Sequence, residues 1–188
     1  MQHKVKLTVL DKKLYPDLQA SYCKDPLAGE CPIYNIGDEY IFERYNNKDD
    51  FWHMGINTIQ STPCNQKVAG DQSTPHCSEA WDAISRYIYT GLQGGSIMRN
   101  WMKDERVMIT CCNDGTRPVI FKVERLDYLA IYLEEYDDKI IELLNNIDEV
   151  LEIEKRDDYI EVYVERDIDL NNITSILKNN NYNIIKID

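Results

Sequence analysis

The sequence predicts an α+β protein, with a small N-terminal antiparallel sheet domain built around one main helix and a ferredoxin-like C-terminal unit. Strand-like alternation and helix-like spacing of apolar residues both occur along the 188 residues. Charge is divided unevenly, because residues 1–125 carry 15 basic and 16 acidic residues whereas residues 126–188 carry 6 and 17. Every cysteine, histidine, tryptophan, glycine and proline precedes residue 126. We therefore place a domain boundary near Arg125.

The N-terminal domain, residues 1–125, is predicted from four strand patterns and one helix pattern. The strands are expected at residues 4–10, 38–45, 106–112 and 118–126. The last two are joined by Asn-Asp-Gly-Thr, which is a hairpin signal. Residues 78–92 place apolar side chains three or four positions apart and predict a helix with one buried face. Ser78 is expected to cap this helix and Gly94-Gly95 to close it. A polar loop insert is expected at about residues 55–76.

The C-terminal unit, residues 126–188, is predicted to begin with a helix over residues 127–146. Its apolar residues recur at alternating spacings of three and four, starting at Leu129 and Leu133. Two strands, a second helix and a last strand are then expected at residues 150–154, 159–165, 169–179 and 182–187. This order is α-β-β-α-β. If the strand at residues 118–126 is counted first, the order becomes that of a ferredoxin-like plait.

Composition excludes several classes of protein. The net charge of −12 argues against binding to nucleic acid, because a phosphate backbone is bound through lysine and arginine. Apolar stretches of only a few residues predict no membrane span, and the N-terminus shows no export signal, so we expect a cytoplasmic protein. The net charge of −11 on residues 126–188 keeps this unit soluble and offers a surface to a basic protein partner. A homodimer through the same unit is the other partner hypothesis.

The cysteines are the main candidates for chemistry. No CxxC pair occurs, and without an export signal we expect free thiols rather than a disulfide framework. Cys77 immediately precedes the helix at residues 78–92, where the helix dipole favours a thiolate. Cys31 precedes a proline in an expected loop, and strand alternation sends Cys111 and Cys112 to opposite faces. Three thiols from three segments would leave a metal with an open position, which suits a transition metal or an iron–sulfur cluster.

A series of short motifs runs through residues 3–125. They are the strand at residues 4–10, Cys31-Pro32, Gly37-Asp38-Glu39-Tyr40, Cys77, Ala80-Trp81, Gly94-Gly95, Trp101, Cys112-Asn113-Asp114, and Arg117-Pro118-Val119-Ile120-Phe121. In order and spacing they resemble a family of small prokaryotic proteins that is catalogued by number and has no assigned function. The resemblance implies that the cysteine positions at Cys31, Cys77 and Cys112 recur together, which favours Cys112 over Cys111. It implies no reaction and does not extend to residues 126–188.

Four further residues are candidates for binding a cofactor or ligand. Gly94 and Gly95 could let a ligand approach the backbone, although a helix end and turn is the alternative explanation. Trp101 is predicted to wall a pocket with Trp81, unless both are core residues. Arg117 would clamp a carboxylate or phosphate if it points inward. His53 is a weaker acid–base candidate beside two aromatic residues.

Two functions follow as hypotheses. In the first, Cys77, Cys112 and Cys31 converge and act as catalytic thiols or metal ligands in a redox or iron–sulfur protein. In the second, the chain is a non-catalytic binding or dimerisation module, and its cysteines are small buried hydrophobic residues.

Overall fold

A computed structural model of the chain describes residues 1–43, 77–165 and 168–188. Within these residues the fold is mixed α/β, with an open antiparallel sheet of seven strands and four helices. The strands are β1 (Gln2–Lys12), β2 (Glu39–Glu43), β3 (Val107–Cys111), β4 (Val119–Leu133), β5 (Val150–Lys155), β6 (Ile160–Val164) and β7 (Ile184–Ile187). The helices are α1 (Pro16–Tyr22), α2 (Ser78–Leu92), α3 (Lys139–Asn145) and α4 (Leu170–Asn179).

Contacts along the chain divide it into two compact units. One consists of Lys4–Arg125 and the other of Leu126–Asp188 together with Met1–His3. Each unit has its own cluster of buried hydrophobic side chains. The predicted loop insert at residues 55–76 and the candidate His53 lie outside the described residues.

The unit Lys4–Arg125 packs α2 on strands whose alternating residues face one core. In β1 these residues are Val5, Leu7 and Val9, each at most 1% exposed. β2 pairs with β1, and β3 pairs with the first part of β4, both antiparallel. The predicted strands and the helix at residues 78–92 are therefore confirmed in this unit, and residues 44–45 of the strand predicted at 38–45 lie outside the described residues. Helix α1 was missed, because its seven residues include a single buried side chain, Gln19, and so show no apolar period.

Helix α2 ends in a hydrogen-bonded turn that fixes the path of the following loop. The Gly95 N–H donates to Thr90 O at 3.0 Å and the Gly94 N–H donates to Gly91 O at 2.9 Å. Gly94 has a φ of 73°, which favours glycine. These bonds form the Schellman motif, which satisfies carbonyls left unpaired at a helix end. The helix-end explanation of Gly94 and Gly95 is confirmed.

The unit that contains Leu126–Asp188 forms a sheet with strand order β7-β4-β6-β5. All three neighbouring pairs are antiparallel. Fully buried apolar residues of α3 and α4 join those of β4 and β6 in one core, which includes Leu129, Ile131, Ile140, Leu144, Ile160, Val162, Ile173 and Leu177. Strand β5 lies at the end of this order, and its register with β6 shifts between Val150 and Glu152.

The helix predicted over residues 127–146 is wrong for most of its length. Residues up to Leu133 continue strand β4, and the helix is confined to Lys139–Asn145. The spacing of four between Leu129 and Leu133 fits a helix, but it fits a strand equally well. Ile131 lies between them and is also fully buried, which is the period-two pattern of a strand with one face in the core. β4 thus joins all seven strands into one sheet, where two small sheets were expected.

None of the described helices combines the length and apolar character that a bilayer crossing requires.

The close contact between α2 and β1 gives the first testable prediction. A Cβ atom built on Gly91 would lie 2.6 Å from Val5 Cγ2, and Val5 is fully buried and branched. We expect Gly91→Ala to lower the free energy of unfolding by about 1–2 kcal/mol, because overpacking outweighs the gain in helix propensity. Urea unfolding would measure it. Gly115→Ala is the control, since a Cβ atom added at Gly115 would meet no other atom within 4 Å; an equal effect of both substitutions would contradict the packing argument.

Candidate functional site

The three cysteines singled out by the sequence border the same hydrophobic core in the unit Lys4–Arg125. Cys112 belongs to this core and is 8% exposed, while Cys31 and Cys77 are half-buried and pack against it. None of the three is in a disulfide. We call Cys31, Cys77 and Cys112 the three-cysteine region.

Cys77 is the N-cap residue of α2, the longest of the described helices. Its backbone is extended, with φ −89° and ψ 98°, and its carbonyl accepts from the Trp81 N–H at 3.0 Å. Ser78, predicted as the cap, is instead the first helical residue, and no side chain caps the helix. The Cys77 thiol therefore lies at the positive end of a 15-residue helix dipole.

Cys112 is held inside the hairpin between β3 and β4. Its Sγ accepts from the Val119 N–H at 3.3 Å, and its own N–H donates to Val119 O at 3.1 Å. The neighbouring Cys111 is exposed, so the prediction that alternation separates these two thiols is confirmed.

Asn113 connects the Cys112 hairpin to the first turn of α2. Its backbone N–H donates to Glu79 O at 3.1 Å, and its side-chain amide donates to Asp82 Oδ2 at 2.6 Å. Glu79 is two residues after Cys77, and Asn113 is one residue after Cys112. The segments that carry these two thiols are therefore fixed against each other by two hydrogen bonds.

Cys31 follows a loop that is attached to α1 and to β1. The Gln19 amide makes two hydrogen bonds with the Gly29 backbone, at 3.0 and 3.1 Å, and Lys12 Nζ pairs with Glu30 Oε2 at 3.6 Å. Lys13, which follows Lys12 at the end of β1, donates its backbone N–H to Pro118 O at 2.9 Å. The loop before Cys31 is thus anchored near the end of β1 that pairs with the start of β4. Gln19 was not singled out by the sequence, since a lone glutamine gives no signal of burial.

The described residues contain no group of three or more histidine, cysteine, aspartate or glutamate side chains placed to hold a metal ion. Cys31, Cys77 and Cys112 are all described and do not form such a group. The predicted metal or iron–sulfur site on these residues is therefore not supported by their arrangement.

The remaining predicted ligand-binding residues have structural partners. The carbonyls of Gly94 and Gly95 both accept from Arg125 Nη1 at 2.7 Å. Arg117 Nε donates to Asp114 Oδ2 at 3.1 Å. Burial opposes ionisation of Asp114, but hydrogen bonds from Thr116 and Arg117 outweigh it and lower the pKa of its carboxyl. Trp101 is 77% exposed. A ligand-binding role for these residues stays a prediction.

A second site, which the sequence did not indicate, lies around Glu161 in the unit Leu126–Asp188. Glu161 is 1% exposed and accepts from Tyr159 Oη, Tyr163 Oη and Arg156 Nη2, at 3.1, 2.9 and 2.8 Å. Burial, together with the charge of Glu161, raises the pKa of the Tyr163 phenol. The hydrogen bond to Glu161 raises the pKa of Arg156. Ile160, Val162 and Val164 of β6 belong to the core, so Glu161 lies on the other face of the strand, where no local pattern indicates its burial.

Comparison with protein-family models, with curated proteins and with solved structures finds no match to this chain. The comparisons add no support to the resemblance described for residues 3–125.

The different exposures of neighbouring thiols give the second prediction. With an aromatic disulfide reagent under native conditions, we expect Cys111 to react at least tenfold faster than Cys112, because Cys111 is exposed and Cys112 is buried. The reaction is followed by absorbance. Rapidly reacting thiols form the fast phase of the absorbance change. Cys111→Ser should remove one equivalent of this phase, and Cys112→Ser should leave it intact. A fast phase that survives Cys111→Ser unchanged would show that this thiol is shielded.

Proposed function

We propose that the chain is a thiol-dependent redox protein whose reactive group is the three-cysteine region. The observation that carries the proposal is the attachment of the Cys112 hairpin to the first turn of α2, immediately after Cys77. It is supported by the common core that all three cysteines border.

Cys77 has the features of an attacking thiol. It is half-buried, so it is more accessible than Cys112, and the helix dipole stabilises the negative charge of a thiolate. Its thiolate would attack one sulfur of a disulfide substrate, forming a mixed disulfide and releasing the other sulfur as a thiolate. A second thiolate of the region then attacks the Cys77 sulfur, leaving an intramolecular disulfide and a substrate reduced to two thiols.

Cys112 is the partner we assign to this second step. The hydrogen bonds of Asn113 fix its segment to the first turn of α2, which begins directly after Cys77. Cys31 is the alternative partner, because it borders the same core from another segment. No step is assigned to a metal, since the donor set does not form a metal-binding group in the described residues.

We also propose that the unit Leu126–Asp188 is a ferredoxin-like plait. The strand order β7-β4-β6-β5 is the order 4-1-3-2 when the four strands are counted along the chain, with a helix after the first strand and after the third. The antiparallel pairing of all neighbours and the shared core of both helices support it.

A binding module is the second candidate function, and the charge of residues 126–188 favours it. This unit combines a separate hydrophobic core with a net charge of −11, so it offers a folded acidic surface to a basic protein. Homodimerisation through this unit and a cytoplasmic location remain predictions. Light scattering on the full chain would measure the oligomeric state directly.

Oxidation of the full chain tests the thiol proposal. After anaerobic purification, we expect less than 0.1 equivalent of metal or sulfide, and titration with oxidised glutathione should form an intramolecular disulfide that includes Cys77. Peptide mapping by mass spectrometry identifies the pair. Cys77→Ser should abolish this disulfide, because it removes the attacking thiol, whereas Cys23→Ser is a matched control that leaves it unchanged.

Two results would contradict this scheme. The first is stoichiometric metal lost on substitution of any of the three cysteines, which would replace thiol exchange by metal binding. The second is formation of only mixed disulfides with glutathione at every excess of oxidant. Either result would leave the binding-module hypothesis as the better account.

A further inference from the structure

A buried carboxylate occupies the middle of the sheet in the unit Leu126–Asp188. Glu161 belongs to β6 and lies opposite Ala130 of β4 on one side and Glu154 of β5 on the other. Its side chain is 1% exposed. A buried carboxylate is tolerated only when hydrogen bonds and a cation compensate for lost hydration.

Two of the groups that compensate for the burial of the Glu161 carboxylate come from the same strand segment. Tyr159 and Tyr163 are two residues before and after Glu161, and both phenols donate to it, one to each carboxylate oxygen. Their rings are held by neighbours on β4: Tyr159 stacks on Tyr132 with centroids 5.0 Å apart, and Tyr163 contacts Tyr128 at 5.6 Å. The carboxylate and its two hydroxyl donors are therefore preorganised.

The cation, by contrast, comes from the turn between β5 and β6. Arg156 is 39% exposed, and its Nη2 reaches Glu161 Oε2 at 2.8 Å and Glu154 Oε2 at 2.5 Å. Its backbone N–H donates to Tyr159 O and its carbonyl accepts from the Tyr136 hydroxyl. The guanidinium thus enters from the solvent side to join two carboxylates that face each other across the strand pair.

We infer that Glu161, Glu154, Tyr159 and Tyr163 form a receptor for a guanidinium group, which Arg156 fills in cis and which the arginine side chain of a basic protein can fill when Arg156 is removed from it. The Nη2 nitrogen of Arg156 carries two hydrogens and donates to both carboxylates. A guanidinium suits this site better than an ammonium because it is more weakly hydrated, so it loses less on contact with a buried carboxylate. The net charge of −11 on residues 126–188 attracts such a ligand. The inference is independent of the thiol proposal, since residues 126–188 contain no cysteine.

Chemical rescue of the vacated site tests this inference, with methylguanidinium as the probe. In the full chain, Arg156→Ala should lower Tm, and methylguanidinium at tenfold its Kd should restore about 3 °C with saturation. Methylammonium at the same ionic strength should restore less than a third of that. The wild-type chain should show no saturable rise in Tm, because Arg156 already occupies the receptor.

Two further variants distinguish a receptor from a general salt effect. Arg156→Ala combined with Glu161→Gln should lose the rescue, because the buried charge is gone. Arg117→Ala is the matched control, because Arg117 also pairs with one carboxylate, but at a half-exposed turn, and methylguanidinium should not rescue it. If Arg156→Ala does not fold alone, refolding yield with and without methylguanidinium gives the same readout. Equal responses to both cations, or equal rescue with and without Glu161, would overturn the inference.

Discussion

The alternation of side chains along β4 is the constraint on which both units depend. Over its 15 residues, every second side chain from Val119 to Leu133 lies on one face. The first three of these, Val119, Phe121 and Val123, belong to the core of the unit Lys4–Arg125. The last three, Leu129, Ile131 and Leu133, belong to the core of the other unit. A shift of one residue in the pairing of β4 with a neighbour would move the apolar set of that unit to the opposite face, so each core depends on its own register.

Two polar residues separate these apolar sets. Arg125 and Asp127 lie on the same face of β4 and are 5% and 2% exposed. Arg125 donates to the carbonyls of Gly94 and Gly95, and Asp127 accepts from His3 Nδ1 at 2.8 Å. Buried charges require such partners. The composition change that the sequence shows near Arg125 thus coincides with two buried polar residues that interrupt apolar burial along one strand.

Sequence patterns predicted those elements whose period has one explanation. Helix α2 was predicted with its correct bounds, because four apolar residues at helical spacing leave no strand alternative. The helix prediction failed at residues 129–133 because a spacing of four fits a helix and a strand equally well. Only the burial of Ile131 decides between the two. Alternation alone predicted that Cys111 and Cys112 lie on opposite faces, and their different exposures agree with it. Glu161 could not be found in this way, since its burial depends on tyrosines and an arginine that fold around it rather than on any local pattern.

For a similar reason, the three-cysteine region could be predicted only in part from the sequence. A helix start immediately after Cys77 is a local signal, and it proved correct. The hydrogen bonds of Asn113 to Glu79 and Asp82 join segments more than thirty residues apart, and no local pattern specifies them. Whether the thiols form a metal-ligand group depends on such long-range geometry. The expectation of a metal site was accordingly the part with the weakest physical basis.

Strand β5 has a consequence for self-association of this protein through the edge of its sheet. It ends the order β7-β4-β6-β5, and its ladder is interrupted at Leu151, whose side chain is 59% exposed. An interrupted, charged border strand is a poor template for another chain, because the backbone groups of the newcomer cannot keep a continuous ladder. The irregularity therefore makes β5 a poor site for the edge-to-edge addition of another chain.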